Sequence, residues 1–149
     1  MNKEALSEFR LTVQSFIKVF GLLEQSATPC GVPLSVSQVY AMQELENISM
    51  SVSDLAQRLN LERSTVSRLV DSLVKENLVN RVINEANRRE MILTLTEKGS
   101  RTIQQVREQS LRFFQDVLGD LQESDQATII DGFKKFTNAL LQYRRKQND

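Results

Sequence analysis

The spacing of apolar residues changes from a helical period to an alternating one within a single segment, residues 51–95. Apolar residues recur three or four positions apart in 52–59 and again in 66–74. They alternate with polar ones in 91–95, and 79–83 is rich in β-branched residues. This order predicts two short helices followed by a β-hairpin.

The turn and capping residues agree with this order of two helices and a hairpin. Ser51 with Asp54 is typical of a helix start, and Asn60 can adopt the left-handed conformation that ends a helix in a tight turn. The polar run 84–89 is the predicted turn between the two strands. Two helices joined by a tight turn and followed by a hairpin form a winged helix-turn-helix, whose second helix enters the major groove of DNA.

Helical patterns flank this unit on both sides. Apolar residues from Leu6 to Leu23 step by three and four, both prolines fall in the loop 28–33, and Ser35 with Gln38 fits a capping box that starts a second helix. Thr96 and Ser124 are the predicted caps of a fifth and a sixth helix. We therefore predict a mainly α fold with a small β-hairpin wing. It is a single domain, 1–149, with a winged helix-turn-helix core at about 35–99 and dimerisation helices at about 4–26 and 97–146.

Composition narrows the function to binding. The chain has no His and a single Cys, which removes the commonest general base, the usual Cys/His zinc sites and internal disulfides. We therefore expect no enzyme activity, no metal and no cofactor. No apolar run approaches the roughly 20 residues that a membrane helix needs, and charged residues interrupt the N-terminus where a secretory signal would be apolar, so we expect a cytoplasmic protein.

The predicted helix-turn-helix and wing form the segment of the chain with a net positive charge. Residues 50–101 hold 9 basic and 7 acidic residues and no aromatic residue, which disfavours single-strand binding by base stacking. Arg and short hydroxyl side chains on an exposed helix can bond base edges and phosphates, and Arg at a hairpin tip suits a narrow minor groove. An Arg/Ser face can also be an ordinary solvated surface. The predicted DNA contacts are Arg63, Ser64, Thr65, Ser67, Arg68, Arg88 and Arg89.

Three stretches, VSDLAQRL (52–59), LERSTVSRLVDSL (61–73) and RREMILTLTEKG (88–99), resemble the winged-helix core of the MarR family of bacterial transcriptional regulators. The resemblance implies that the helix matching 62–77 reads the major groove and that Arg89 enters the minor groove. Family members commonly carry an Asp two residues before this Arg. Here Asn87 takes its place, which offers no charge and implies a looser wing.

The resemblance also implies a homodimer on a pseudo-palindromic operator, with a small-molecule effector between the dimer helices and the winged core. We expect a repressor that a ligand or stress signal releases from DNA. Phe-rich faces on the outer helices support a dimer, although they could instead close the monomer core. The predicted dimer residues are Leu6, Phe9, Val13, Phe16, Phe113, Phe133 and Phe136.

Two alternatives from other functional classes remain open: a winged-helix module that binds protein, and an enzyme, which would need a carboxylate or Lys site that the sequence does not reveal. A winged-helix module can bind protein and not DNA, and it would then show no salt-sensitive duplex affinity. A peroxide sensor would need a reactive thiol, but Cys30 lies after the first helix and no cation occurs in 28–34 to stabilise a thiolate. We therefore expect Cys30 to have no redox role.

Overall fold

The computed structural model describes residues 1–148, which form six α-helices and one three-stranded antiparallel sheet of order β1-β3-β2. The elements are α1 (Lys3–Phe20), α2 (Val36–Asn47), β1 (Met50–Ser51), α3 (Val52–Leu59), α4 (Arg63–Lys75), β2 (Val79–Ile83), β3 (Met91–Leu95), α5 (Glu97–Leu118) and α6 (Glu123–Asn148). The predicted fold class, mainly α with a β-hairpin wing, is confirmed.

One apolar core holds α2, α3, α4, the sheet and the first half of α5 together. Its fully buried side chains include Met42, Leu55, Val66, Leu73 and Ile103. Each helix contributes the face that its three-and-four spacing predicts, since these positions line one side of a 3.6-residue turn. The core therefore fixes which face of α4 points outward.

Several predicted caps are present. Ser35 Oγ accepts from the backbone N–H of Gln38 at 3.1 Å, and Gln38 Oε1 accepts from the backbone N–H of Ser35 at 2.9 Å. Asn60 has the left-handed conformation, with φ 57°, at the C-cap of α3. These bonds satisfy backbone groups that a helix end leaves unpaired.

Other boundaries differ from the predictions. The first helix begins at Lys3, because Asn2 Oδ1 accepts from the Ala5 N–H at 2.8 Å, and ends before Gly21 at φ 90°, so Leu23 lies outside it. The sixth helix begins at Glu123. Ser124 is therefore inside its first turn, and the prediction that it is the cap is wrong.

The chain divides into two compact units, one spanning Met1–Ser110 and a second that begins at Leu111. The first contains α1 and the complete winged core. Neither α1 nor α6 has a buried residue. Among the helices formed by residues 1–148, none combines the length and hydrophobicity required to cross a membrane.

Candidate nucleic-acid interface

Helix α4 presents opposite chemistries on its two faces. Val66, Val70 and Leu73 are completely buried. Arg63, Ser64, Thr65 and Arg68 are exposed, and Ser67 is half-buried. The five predicted α4 residues therefore lie in the N-terminal half of the helix, on or beside its exposed face.

The start of α4 is electrostatically unusual. Glu62 is the N-cap, but no side chain forms a capping hydrogen bond there, and the first helical residue is Arg63. A cation in the first turn is unfavourable because the helix dipole places partial positive charge at this end. A phosphate group would reverse that penalty, since it accepts from backbone N–H groups and from Arg.

The wing consists of β2, β3 and the turn between them. Asn84 closes the turn, with its backbone N–H donating to the Glu90 carbonyl at 3.0 Å. Arg88 and Glu85 approach to 3.7 Å, with side chains 79% and 85% exposed. An ion pair this exposed contributes little. Arg88 can therefore exchange Glu85 for another anion.

Asn87 acts on the backbone of the wing turn. Its Oδ1 accepts from the backbone N–H of Arg89 at 3.3 Å. An amide oxygen is sufficient for this local contact, which shapes the turn without a charged acceptor.

A cleft of about 570 Å³ lies between α4 and the wing. It brings together three of the predicted DNA contacts, Arg63, Ser67 and Arg89, with Asn87 beside them. Ser64, Thr65, Arg68 and Arg88 are not among its lining residues. One cleft, lined by three arginines and two carboxylates, therefore lies between the exposed helix and the wing.

An ion pair that the sequence analysis did not identify crosses this cleft. Arg81 on β2 bonds to Asp71 on α4, and both line the cleft. The Arg81 side chain is 30% exposed. The pair connects β2 of the wing to α4 through Arg81. No local pattern marks it, because the pair joins two different elements.

The predicted dimer residues are partly accessible in the isolated chain. On α1, Leu6, Phe9 and Phe16 expose 50%, 43% and 38% of their surface, while Val13 is half-buried. Phe16 stacks on Phe20, with ring centroids 5.1 Å apart.

The predicted residues beyond Ser110 show a similar pattern. Phe133 and Phe136 on α6 are 50% and 37% exposed, and Phe113 is half-buried and meets Phe114 edge-on at 5.3 Å. Large apolar side chains exposed along whole helices are typical of surfaces that another chain covers.

A second cleft, of about 310 Å³, lies beside the first half of α5. Its lining combines apolar and polar side chains, among them Pro33, Leu34, Glu76, Lys98, Thr102 and Gln105. Cys30 lies nearby in the loop before α2, where its carbonyl accepts from Gln109 Nε2 at 2.7 Å. Its thiol is half-buried.

Sequence comparisons place this core among known regulators. The MarR family model matches residues 34–91, which include α4, the wing turn and the cleft between them. The HTH-type transcriptional repressor MdtR of Bacillus subtilis is 29% identical over 105 residues. That match covers 69% of this chain and 66% of the repressor's length.

Solved structures share the fold over nearly the whole chain. A MarR family protein from Bacillus stearothermophilus superposes with a TM-score of 0.73 at 24% identity, covering 95% of this chain and 99% of that one. The PcaV transcriptional regulator from Streptomyces coelicolor, solved with its natural ligand, gives a TM-score of 0.65 at 20% identity and covers 94% of each chain.

Proposed function

We propose that this chain, which belongs to the MarR family, is a homodimeric transcriptional regulator that binds specific double-stranded DNA and represses transcription until a small ligand or stress signal releases it. The observation that carries the proposal is the cleft between α4 and the wing. It places Arg63, Ser67 and Arg89 around one space, between an exposed helix face and a hairpin tip.

Helix dimensions suit the proposed contact. An α-helix with side chains is about 10–12 Å across, close to the width of the B-DNA major groove, about 12 Å. Arg68 is exposed on α4, where its guanidinium can bond a guanine edge with two parallel hydrogen bonds. Ser64, Thr65 and Ser67 are short enough to bond bases or phosphates as the backbone approaches. Arg63 at the helix start suits a phosphate.

The wing supplies the second contact. When α4 occupies the major groove, the turn with Arg88 and Arg89 can reach the neighbouring minor groove, whose narrow, negative channel favours Arg. The Asp71–Arg81 ion pair connects β2 of the wing to α4. The two contacts together would read one half-site.

Dimerisation supplies the second half-site. Helices α1 and α6 have no buried residue in the isolated chain, and both expose large apolar side chains. Covering these faces with a second copy would bury apolar surface, worth about 25 cal/mol per Å². A two-fold dimer would then present two α4 helices to a pseudo-palindromic operator.

Selection of bound duplexes from a random pool tests the proposal. The chain should enrich a two-fold-symmetric sequence, and its affinity for that sequence should fall steeply as salt rises. Failure to retain any duplex at low salt would refute DNA binding and favour the alternative winged-helix module that binds protein.

The cleft beside α5 is the place that we propose for the effector. Its volume is near the lower end of the range for small-molecule sites, and apolar side chains with a few polar groups are typical of such sites. A panel of compounds can be tested for the ability to release the protein from the selected duplex. In the Gln105→Phe variant, a larger side chain fills the cleft. This variant should bind the duplex with the parent's affinity and should stay bound when an active compound is added.

A further inference from the structure

The end of α4 and the beginning of α5 are joined by hydrogen bonds to three successive carbonyls. The backbone N–H of Thr96 donates to the Leu78 carbonyl at 3.1 Å. Thr96 Oγ1 donates to the Asn77 carbonyl at 2.7 Å, and Lys98 Nζ donates to the Glu76 carbonyl at 2.9 Å. We name residues 76–78 and 96–99 the α4–α5 joint.

Gly99 allows this close approach. A Cβ at this position would lie 2.1 Å from the Leu78 carbonyl oxygen, a backbone atom that cannot move aside alone. Thr96 Oγ1 also accepts from the Gly99 N–H at 2.9 Å, so the same hydroxyl caps α5 and contacts the segment after α4. The stretch TEKG (96–99) is therefore the complete α5 side of the joint.

We infer that Thr96, Lys98 and Gly99 are positioning residues for DNA reading, because they fix the direction of α4 relative to α5. The inference rests on the proposed function. Apolar packing of Val66, Val70 and Leu73 holds one face of α4, but such packing is non-directional. The hydrogen bonds of the joint are directional.

A small tilt of α4 at the joint becomes a large displacement at the other end of the helix, where the proposed DNA contacts lie. At 1.5 Å rise per residue, the Arg63 backbone lies about 20 Å along the helix direction from Leu78. A tilt of about 10° at the joint would displace Arg63 by about 3–4 Å, more than the spread of hydrogen-bond lengths, which is roughly 0.5 Å. Small changes at Thr96 should therefore alter base contacts that Thr96 itself does not make.

The Thr96→Val variant tests the inference, with Thr96→Ser as the variant that keeps the hydroxyl. Thr128→Val is the matched control, because it removes an exposed hydroxyl on α6 that donates to the Ser124 carbonyl at 2.8 Å and leaves the joint intact. At a temperature where all three are folded, Thr96→Val should raise Kd for the selected duplex tenfold or more. Thr96→Ser and Thr128→Val should stay within about twofold of the parent. Weak binding to unrelated duplex should not change in any of them.

Amide hydrogen exchange gives a readout that does not depend on DNA. In the full-length chain, exchange should speed up at 76–78 and 96–100 in Thr96→Val but not in Thr96→Ser, with α2 unaffected. If the parent protein binds no duplex, the proposed function is wrong, and so is the proposed role of the joint in DNA reading. The exchange data still show whether the joint holds α4. Equal Kd values for Thr96→Val and Thr128→Val, with a duplex-binding parent, would overturn the inference alone.

Discussion

The side-chain amide of Gln38, in the first turn of α2, donates a 3.1 Å hydrogen bond to the hydroxyl of Ser72 on α4. Ser72 Oγ in turn donates to the Leu69 carbonyl at 2.6 Å. Since Gln38 also forms the capping box with Ser35, one side chain both starts α2 and attaches it to the proposed reading helix.

Gln38→Ala should therefore lower the free energy of unfolding by about 1–2 kcal/mol, because a cap contact and an inter-helix hydrogen bond are lost together. Urea denaturation followed by circular dichroism measures this, at one fixed protein concentration because a dimer's stability depends on it. Gln43→Ala, an exposed change on the same helix, is the control. Equal destabilisation of the two variants would contradict the prediction.

Arg68→Ala should weaken binding to the selected duplex by about 1–3 kcal/mol and relax the sequence preference, because the bidentate hydrogen bond from Arg68 to a base edge is lost. Titration and repeated selection with the variant measure the two effects. Arg101→Ala removes the same charge from α5, where Arg101 pairs with Glu97 at 3.0 Å, and should not alter the preference. An Arg68→Ala variant with the parent's affinity and preference would rule out α4 as the reader.

Phe16→Glu should dissociate the proposed dimer. A carboxylate within a packed apolar interface without a partner costs several kcal/mol, on the order of 3–5. Sedimentation should show monomers, and affinity for the two-fold-symmetric duplex should collapse to weak, salt-sensitive binding. Gln14→Glu, which places the same side chain about 200° around α1, should stay dimeric. A parent that is a monomer at micromolar concentration yet binds the symmetric site tightly would contradict the dimer.

Cys30→Ser should leave DNA binding and its response to oxidants unchanged, since reactive thiols need a nearby cation or a helix N-terminus to stabilise the thiolate. Binding titrations before and after peroxide treatment check this in parent and variant. If peroxide abolishes duplex binding by the parent but not by the variant, Cys30 is instead a peroxide sensor.

Local sequence patterns determined most of the secondary structure and part of the candidate interface. The Ser35–Gln38 box, the turn at Asn60 and the alternation in 91–95 act over four or five residues, so the bonds they specify form between neighbours in the chain. Helical spacing and turn residues also predicted that Arg63 and Ser67 lie on a helix face and Arg89 at a hairpin tip, and the structure brings these three around one cleft.

Tertiary structure alone decided the contacts between elements. The two-residue strand β1 carries no strand pattern of its own and exists because Met50 pairs with Leu93 on β3. Arg81 with Asp71, Thr96 with Asn77, and Gln38 with Ser72 join residues 10, 19 and 34 positions apart. Gln38 and Thr96 carry local capping signals, but no local pattern indicates which distant residue either of them contacts. The core first brings the elements together, and the geometry it imposes then selects which polar groups meet.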